Sequence, residues 1–98
     1  MGLFVLIGRD GASGAALRKR HRDAHLANLK PLADANRVVY AGPLLDDAEQ
    51  PCGSVIVFEA ESLDAARRFA ASDPYVVNGV FASHEVFASR QVFPGAGT

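Results

Sequence analysis

Residues 54–75 read "SVIVFEAESLDAARRFAASDPY", and the fold turns on how this stretch divides. Its first seven residues are rich in β-branched and aromatic side chains, as in a strand, with Val55, Val57 and Glu59 on one face. Ser62 is placed to cap a helix, and Leu63, Ala66, Phe69 and Ala70 then recur at helical spacing. Asp64 stands in the first turn, where the helix dipole favours an acid. Asp73-Pro74 stops that helix, because a proline forbids the preceding residue from continuing it.

Working outward, "DPYVVNGV" reads as a turn and "SHEVFASRQVF" as a further strand. Upstream, "RVVYAGPLL" is a strand broken at Gly42-Pro43, and "LDDAEQPCG" is a polar turn, so a hairpin with a longer loop precedes Ser54. Leu3–Ile7 is a first strand, and Gly8 to Gly14 a turn-rich loop. Ser13 then caps a helix through "GAALRKRHRDAHLANLKPLADAN". Leu17, His21, His25, Leu29 and Leu32 make its inward stripe, with Arg18, Lys19, Arg22, Asn28 and Lys30 mostly elsewhere. Pro31 predicts a kink and Asn36 a C-terminal stop.

The order is β-α-β-β-α-β, the split βαβ or ferredoxin-like pattern. It implies an α+β domain: a four-stranded antiparallel sheet with two helices on one face. The first and third strands are apolar on both alternating sets. The uncovered face therefore needs a partner, and a homodimer through sheet faces is expected.

The chain has 98 residues, enough for one domain that buries only roughly 60% of its unfolded surface. Ten Lys and Arg against 11 Asp and Glu give a net charge of −1. That excludes the strong basic excess of a nucleic-acid module. The five-residue apolar run at Leu3 is too short for a signal core or a membrane span. A lone cysteine, Cys52, allows no internal disulfide and fits a reducing, cytoplasmic setting.

Several residues carry chemistry in principle. Asp73 is either a helix stop alone or a carboxylate that also holds an imidazole. His25, in phase with Leu29 and Leu32, is either a satisfied core histidine or the partner of that carboxylate. An Asp–His pair fixes the tautomer and leaves a general base that works near neutral pH. Without a nucleophilic Ser or Cys, such a pair points to proton transfer rather than acyl transfer. His21 and His25 have the i, i+4 spacing of two metal ligands, but no H-E-x-x-H arrangement follows. Gly8, Gly11 and Gly14 are spaced G-x-x-G-x-x-G, which is not the dinucleotide fingerprint. Arg18, Lys19, Arg20 and Arg22 are a solvated face or a lure for an anionic substrate. Cys52 has no base beside it to make a reactive thiolate.

"RDAHLANLK", "YAGPLLDD", "GSVIVFEAESLDAARRFAASDPYVVNGVF" and "VFASRQVF", in this order and spacing, resemble the YciI-like (YCII-related) proteins. The resemblance runs from Leu3 to about Phe93, so residues 1–93 are expected to form one YCII-related domain and 94–98 a flexible tail. It implies the dimeric α+β barrel arrangement and a pocket built on a His–Asp pair, which falls here on His25 and Asp73. The expected function is a small-molecule enzyme of isomerase or lyase type, doing proton transfer with His25 as acid/base and Asp73 orienting it. Arg22 and Ser54 are expected to hold a polar or anionic group and Tyr75 to line the cleft, with no metal or organic cofactor. The alternative is a non-catalytic dimeric module that binds or senses a small molecule.

Overall fold

A computed structural model describes residues 1–95; the last three positions of the expected tail lie outside the described residues. The elements are β1 (Gly2–Asp10), α1 (Gly14–Asp34), β2 (Val38–Leu45), β3 (Pro51–Ala60), α2 (Leu63–Ser72), α3 (Pro74–Val77) and β4 (Phe81–Ser89). The four strands form one sheet in the order β2-β3-β1-β4, with every neighbour antiparallel. This is the ferredoxin-like α+β fold that the element order implies.

Strand alternation decides the layers. Phe4 and Leu6 of β1 and Ile56, Phe58 and Ala60 of β3 turn under the helices and are buried with Leu29, Ala66 and Ala70. Phe58 has no exposed surface, and burying a side chain of this size stabilises by ~1.5–3 kcal/mol. The opposite set, including Val5, Val57, Val55 and Ile7, faces away from the helices in paired register. Val5 pairs with Phe87 and Val57 with Tyr40, and these two aromatics stay 47% and 56% exposed. A second, smaller cluster of Tyr75, Val80 and Phe81, packed by Leu17 and Val76, forms the other part of the core.

The helix ends follow local chemistry. Ser62 Oγ accepts the Ala65 amide at 3.1 Å and caps α2. Asn36 adopts φ 57°, and the amides of Asn36 and Arg37 donate back to the Ala33 and Leu32 carbonyls. That is the Schellman closure, and asparagine tolerates its left-handed residue better than most side chains do.

Some expectations fail in detail. Ser13 precedes α1 but makes no side-chain cap. The helix runs unbroken through Pro31 to Asp34, because a proline in the last turn removes only one bond near an end that frays anyway. β2 is continuous through Gly42-Pro43; it is an edge strand, where a missing donor can face outward. β1 extends to Asp10, so the first loop is only Gly11–Ser13. The residues after Asp73 form the short helix α3, and β4 starts at Phe81 and ends at Ser89.

Candidate active site

Asp73 sits where two helices meet. It is the C-cap of α2 and the N-cap of α3, held in extended backbone at φ −64° and ψ 127°, the region Pro74 imposes on its predecessor. Its Oδ1 accepts the Tyr75 amide at 2.8 Å. The same Oδ1 lies 2.8 Å from His25 Nδ1 on α1, 48 residues away in sequence. A carboxylate oxygen only accepts, so Nδ1 carries the hydrogen and donates it. Nε2 is then the imidazole's lone-pair nitrogen. Asp73 is fully buried and the His25 side chain 9% exposed. Asp73 Oδ2 is buried without a partner among the described residues, a state that costs about 1–3 kcal/mol and is uncommon in folded proteins.

Tyr75 fixes the imidazole from the side. The two rings stack with centroids 3.9 Å apart and planes 2° from parallel. Phe81 meets the Tyr75 ring edge-on at 5.8 Å. The Arg18 guanidinium carbon lies 5.1 Å from the Tyr75 centroid and 5.9 Å from that of Phe81. Burial raises the Tyr75 hydroxyl above its ordinary value of 10.0, and the nearby charges of Arg18 and Arg22 only partly counter it.

Arg18 is tied down on one edge. Nε donates to Asp10 Oδ2 at 2.6 Å and Nη2 to Asp10 Oδ1 at 2.9 Å, a bidentate fork. Nη2 also donates to the Gly53 carbonyl at 2.6 Å and to Ser54 Oγ at 3.0 Å. Its two hydrogens thus serve three acceptors. Burial pulls the guanidinium down, but the hydrogen bonds and charge of Asp10 outweigh that and leave it above its ordinary value. Two glycines make room for this arrangement. A Cβ on Gly14 would sit 2.7 Å from the Asp10 carboxylate, and one on Gly8 only 2.5 Å from the Phe81 ring.

Of the expected site residues, His25, Asp73 and Tyr75 come together in direct contact. Ser54 joins them through Arg18. Arg22 is exposed and lies near enough to Tyr75 for its charge to be felt there. Sequence reading placed Arg18 off the inward stripe and gave Asp10 no role. Residues 18, 22, 25, 29 and 32 alternate steps of four and three and share one helix face, on which His25 and Leu29 are buried, Arg18 is half-buried and Arg22 stays exposed. The expected run 17, 21, 25 and 29 drifts about 40° with each step. Leu17 and His21 are half-buried, as Arg18 is, so burial does not set Arg18 apart from them. Among the described residues, no three His, Cys, Asp or Glu side chains converge as a metal site would need. Two surface grooves, one beside Arg67 and His84–Phe87 and one beside Met1–Leu3 and Ser89–Gln91, lie elsewhere and touch none of these residues.

The family profile described as YCII-related domain matches residues 2–90. The chain belongs to the YCII-related family. The YciI protein of Escherichia coli O6:H1 is 38% identical over 97 residues, covering 93% of this chain and 99% of the relative. Among solved structures, this YCII-related chain is similar to 5-chloro-2-hydroxyhydroquinone dehydrochlorinase (TftG) from Burkholderia phenoliruptrix AC1100, in complex with 2,5-dihydroxybenzoquinone. The TM-score is 0.80 at 31% identity, over 91% of this chain and 94% of that one. A candidate antibiotic biosynthesis monooxygenase from Nitrosomonas europaea shares the fold alone, with a TM-score of 0.53 at 12% identity over 96% and 95% of the two chains. These neighbours place the protomer in the dimeric α+β barrel class of ferredoxin-like folds. Among the described residues, no helix is long and apolar enough to cross a membrane.

Proposed function

We propose that this YCII-related protein is a small-molecule enzyme in which His25 transfers a proton and Asp73 orients it. One observation carries the reading: the 2.8 Å contact between His25 Nδ1 and Asp73 Oδ1, made by residues from different helices and away from bulk water. A buried carboxylate fixes the tautomer, leaves Nε2 as the base, and stabilises the imidazolium that forms when it takes a proton. The reaction is of isomerase or lyase type on a small cyclic or carbonyl-bearing metabolite. The likeness to a dehydrochlorinase supports this, because loss of hydrogen chloride from a hydroxylated ring requires a proton to be removed. Ser54, Tyr75 and Arg22 line or border the substrate. The acting form is a homodimer whose copies cover each other's apolar sheet face, around Val5, Val57 and Phe87.

Turnover assays on chlorinated hydroxyhydroquinones and on lactones test the reading, with wild type and His25→Ala side by side. Conversion by wild type that falls at least ~100-fold in His25→Ala is the expected result. Equal conversion by both proteins sinks it. The small exposure of the imidazole, 9%, favours a second reading, a module that binds without turnover. That reading holds if ligands bind and none is converted.

A further inference from the structure

Arg18 has one edge committed and one edge free. Its Nε hydrogen and both Nη2 hydrogens go to Asp10, Gly53 and Ser54. Nη1 carries two more hydrogens and has no partner among the described residues. Among the described residues, the buried side-chain atoms without a partner are Asn28 Nδ2, Arg37 Nε and Asp73 Oδ2. Nη1 is not one of them, so it reaches solvent through the 11% of the Arg18 side chain that stays exposed. The guanidinium lies against the same Tyr75 ring that stacks on His25.

We infer that Arg18 Nη1 is the anion-binding group of the His25 site, and that the ligand it takes is a planar monoanion with one charged oxygen, an enolate or a phenolate. Three features select this class. The Nε–Nη2 edge, which matches a carboxylate in two bonds, already holds Asp10, so a ligand carboxylate would get only a single-nitrogen contact. Asp10 cancels most of the Arg18 charge, so a dianion such as a phosphate ester is poorly balanced. The guanidinium lies over the rings of Tyr75 and Phe81, an aromatic setting that suits a flat ligand. Ser54 adds a donor: its oxygen accepts from Arg18, which leaves its own hydrogen for the ligand oxygen. The inference rests on the proposed proton-transfer site, for which an enolate or phenolate oxygen next to the proton being moved is the expected partner.

The test is binding of 4-nitrophenolate, read by its visible absorbance, against the neutral 4-nitroanisole and the dianionic 4-nitrophenyl phosphate. Wild type should bind the phenolate at least ~10-fold more tightly than either, and should lower the ionisation pH of the bound phenol. Arg18→Lys keeps a charge but loses the fork, and should weaken phenolate binding about tenfold. Asp10→Asn frees the Arg18 charge and should strengthen it severalfold. Opposite effects from two changes to the same clamp are not what a merely structural role produces. If both variants weaken binding together, the inference fails. It also fails if the anisole or the phosphate binds as well as the phenolate, or if the phenolate does not bind. Should Arg18→Lys not fold, the ligand comparison in wild type and the sign of the Asp10→Asn effect decide alone. Phenolate binding without turnover of any substrate would sink the enzyme reading and leave this one standing. Turnover with an unchanged KM in Arg18→Lys would do the reverse.

Discussion

Two carboxylates hold α1, and they do it differently. Asp10, at the end of β1, gives one oxygen to Arg18 Nε and the other to Nη2. Asp73, between α2 and α3, uses Oδ1 for both the His25 ring and the Tyr75 amide and leaves Oδ2 with no partner among the described residues. The first pair joins a permanent cation to a nearly saturated acceptor set, so its geometry is fixed and it has no proton to trade. The second joins the carboxylate to an imidazole, a ring able to accept and release a proton. Similar burial gives a clamp in one place and, in the proposed function, an acid–base pair in the other. The partner decides which, not the carboxylate.

The sharpest way to break this contrast is Asp73→Asn. It keeps the shape of the side chain, but its amide can donate to Nδ1 and so favours the other tautomer. Turnover should fall by about 10²–10⁴ while the fold is retained. Nitrogen NMR of the His25 ring should show the hydrogen moving from Nδ1 to Nε2. An unchanged tautomer in the variant would mean that Asp73 does not orient the ring.

The clamp predicts a stability effect instead. Arg18→Met leaves Asp10, whose side chain is 7% exposed, without its counter-charge, and should cost about 3–5 kcal/mol in urea unfolding. Removing both charges in Asp10→Asn/Arg18→Met should cost clearly less than the single change, since no lone charge is then buried. A double variant as unstable as the sum of its parts would show that packing, not the ion pair, holds this end of α1.

The smallest effect concerns the ring between the two pairs. The Tyr75 hydroxyl is pushed above 10.0 by burial, so the folded state favours its neutral form. That contribution is fully present below pH 10 and is lost as pH rises past the folded-state value. Melting temperature against pH should therefore fall above pH 10, and Tyr75→Phe should flatten part of that fall. Identical alkaline curves for the two proteins would show that Tyr75 feels no such environment.

Much of the architecture is legible without coordinates. Ser62, Asp73-Pro74 and Asn36 mark helix ends because caps and stops act within a few residues. Strand alternation in residues 55–60 correctly separates the open face from the covered one. The candidate site was only half legible. On its residues alone Asp73 reads either as a helix stop or as a carboxylate that also holds an imidazole, and resemblance to a family favours its pairing with His25. Arg18 does not stand out because "LRKRHR" offers five adjacent charged or titratable residues with no local mark of which one turns inward.

Periodicity, capping chemistry and turn residues act at short range, so the sequence by itself determined the element order and the α+β class. Which charges meet is a long-range matter. Gly53, Ser54 and Asp10 reach one guanidinium only because β1 and β3 pair in a register that ends beside the first turns of α1. His25 and Asp73 meet only because the middle of α1 packs against the junction of α2 and α3. Tertiary structure alone decided those meetings, since the free energy of each depends on burial that no single segment can supply.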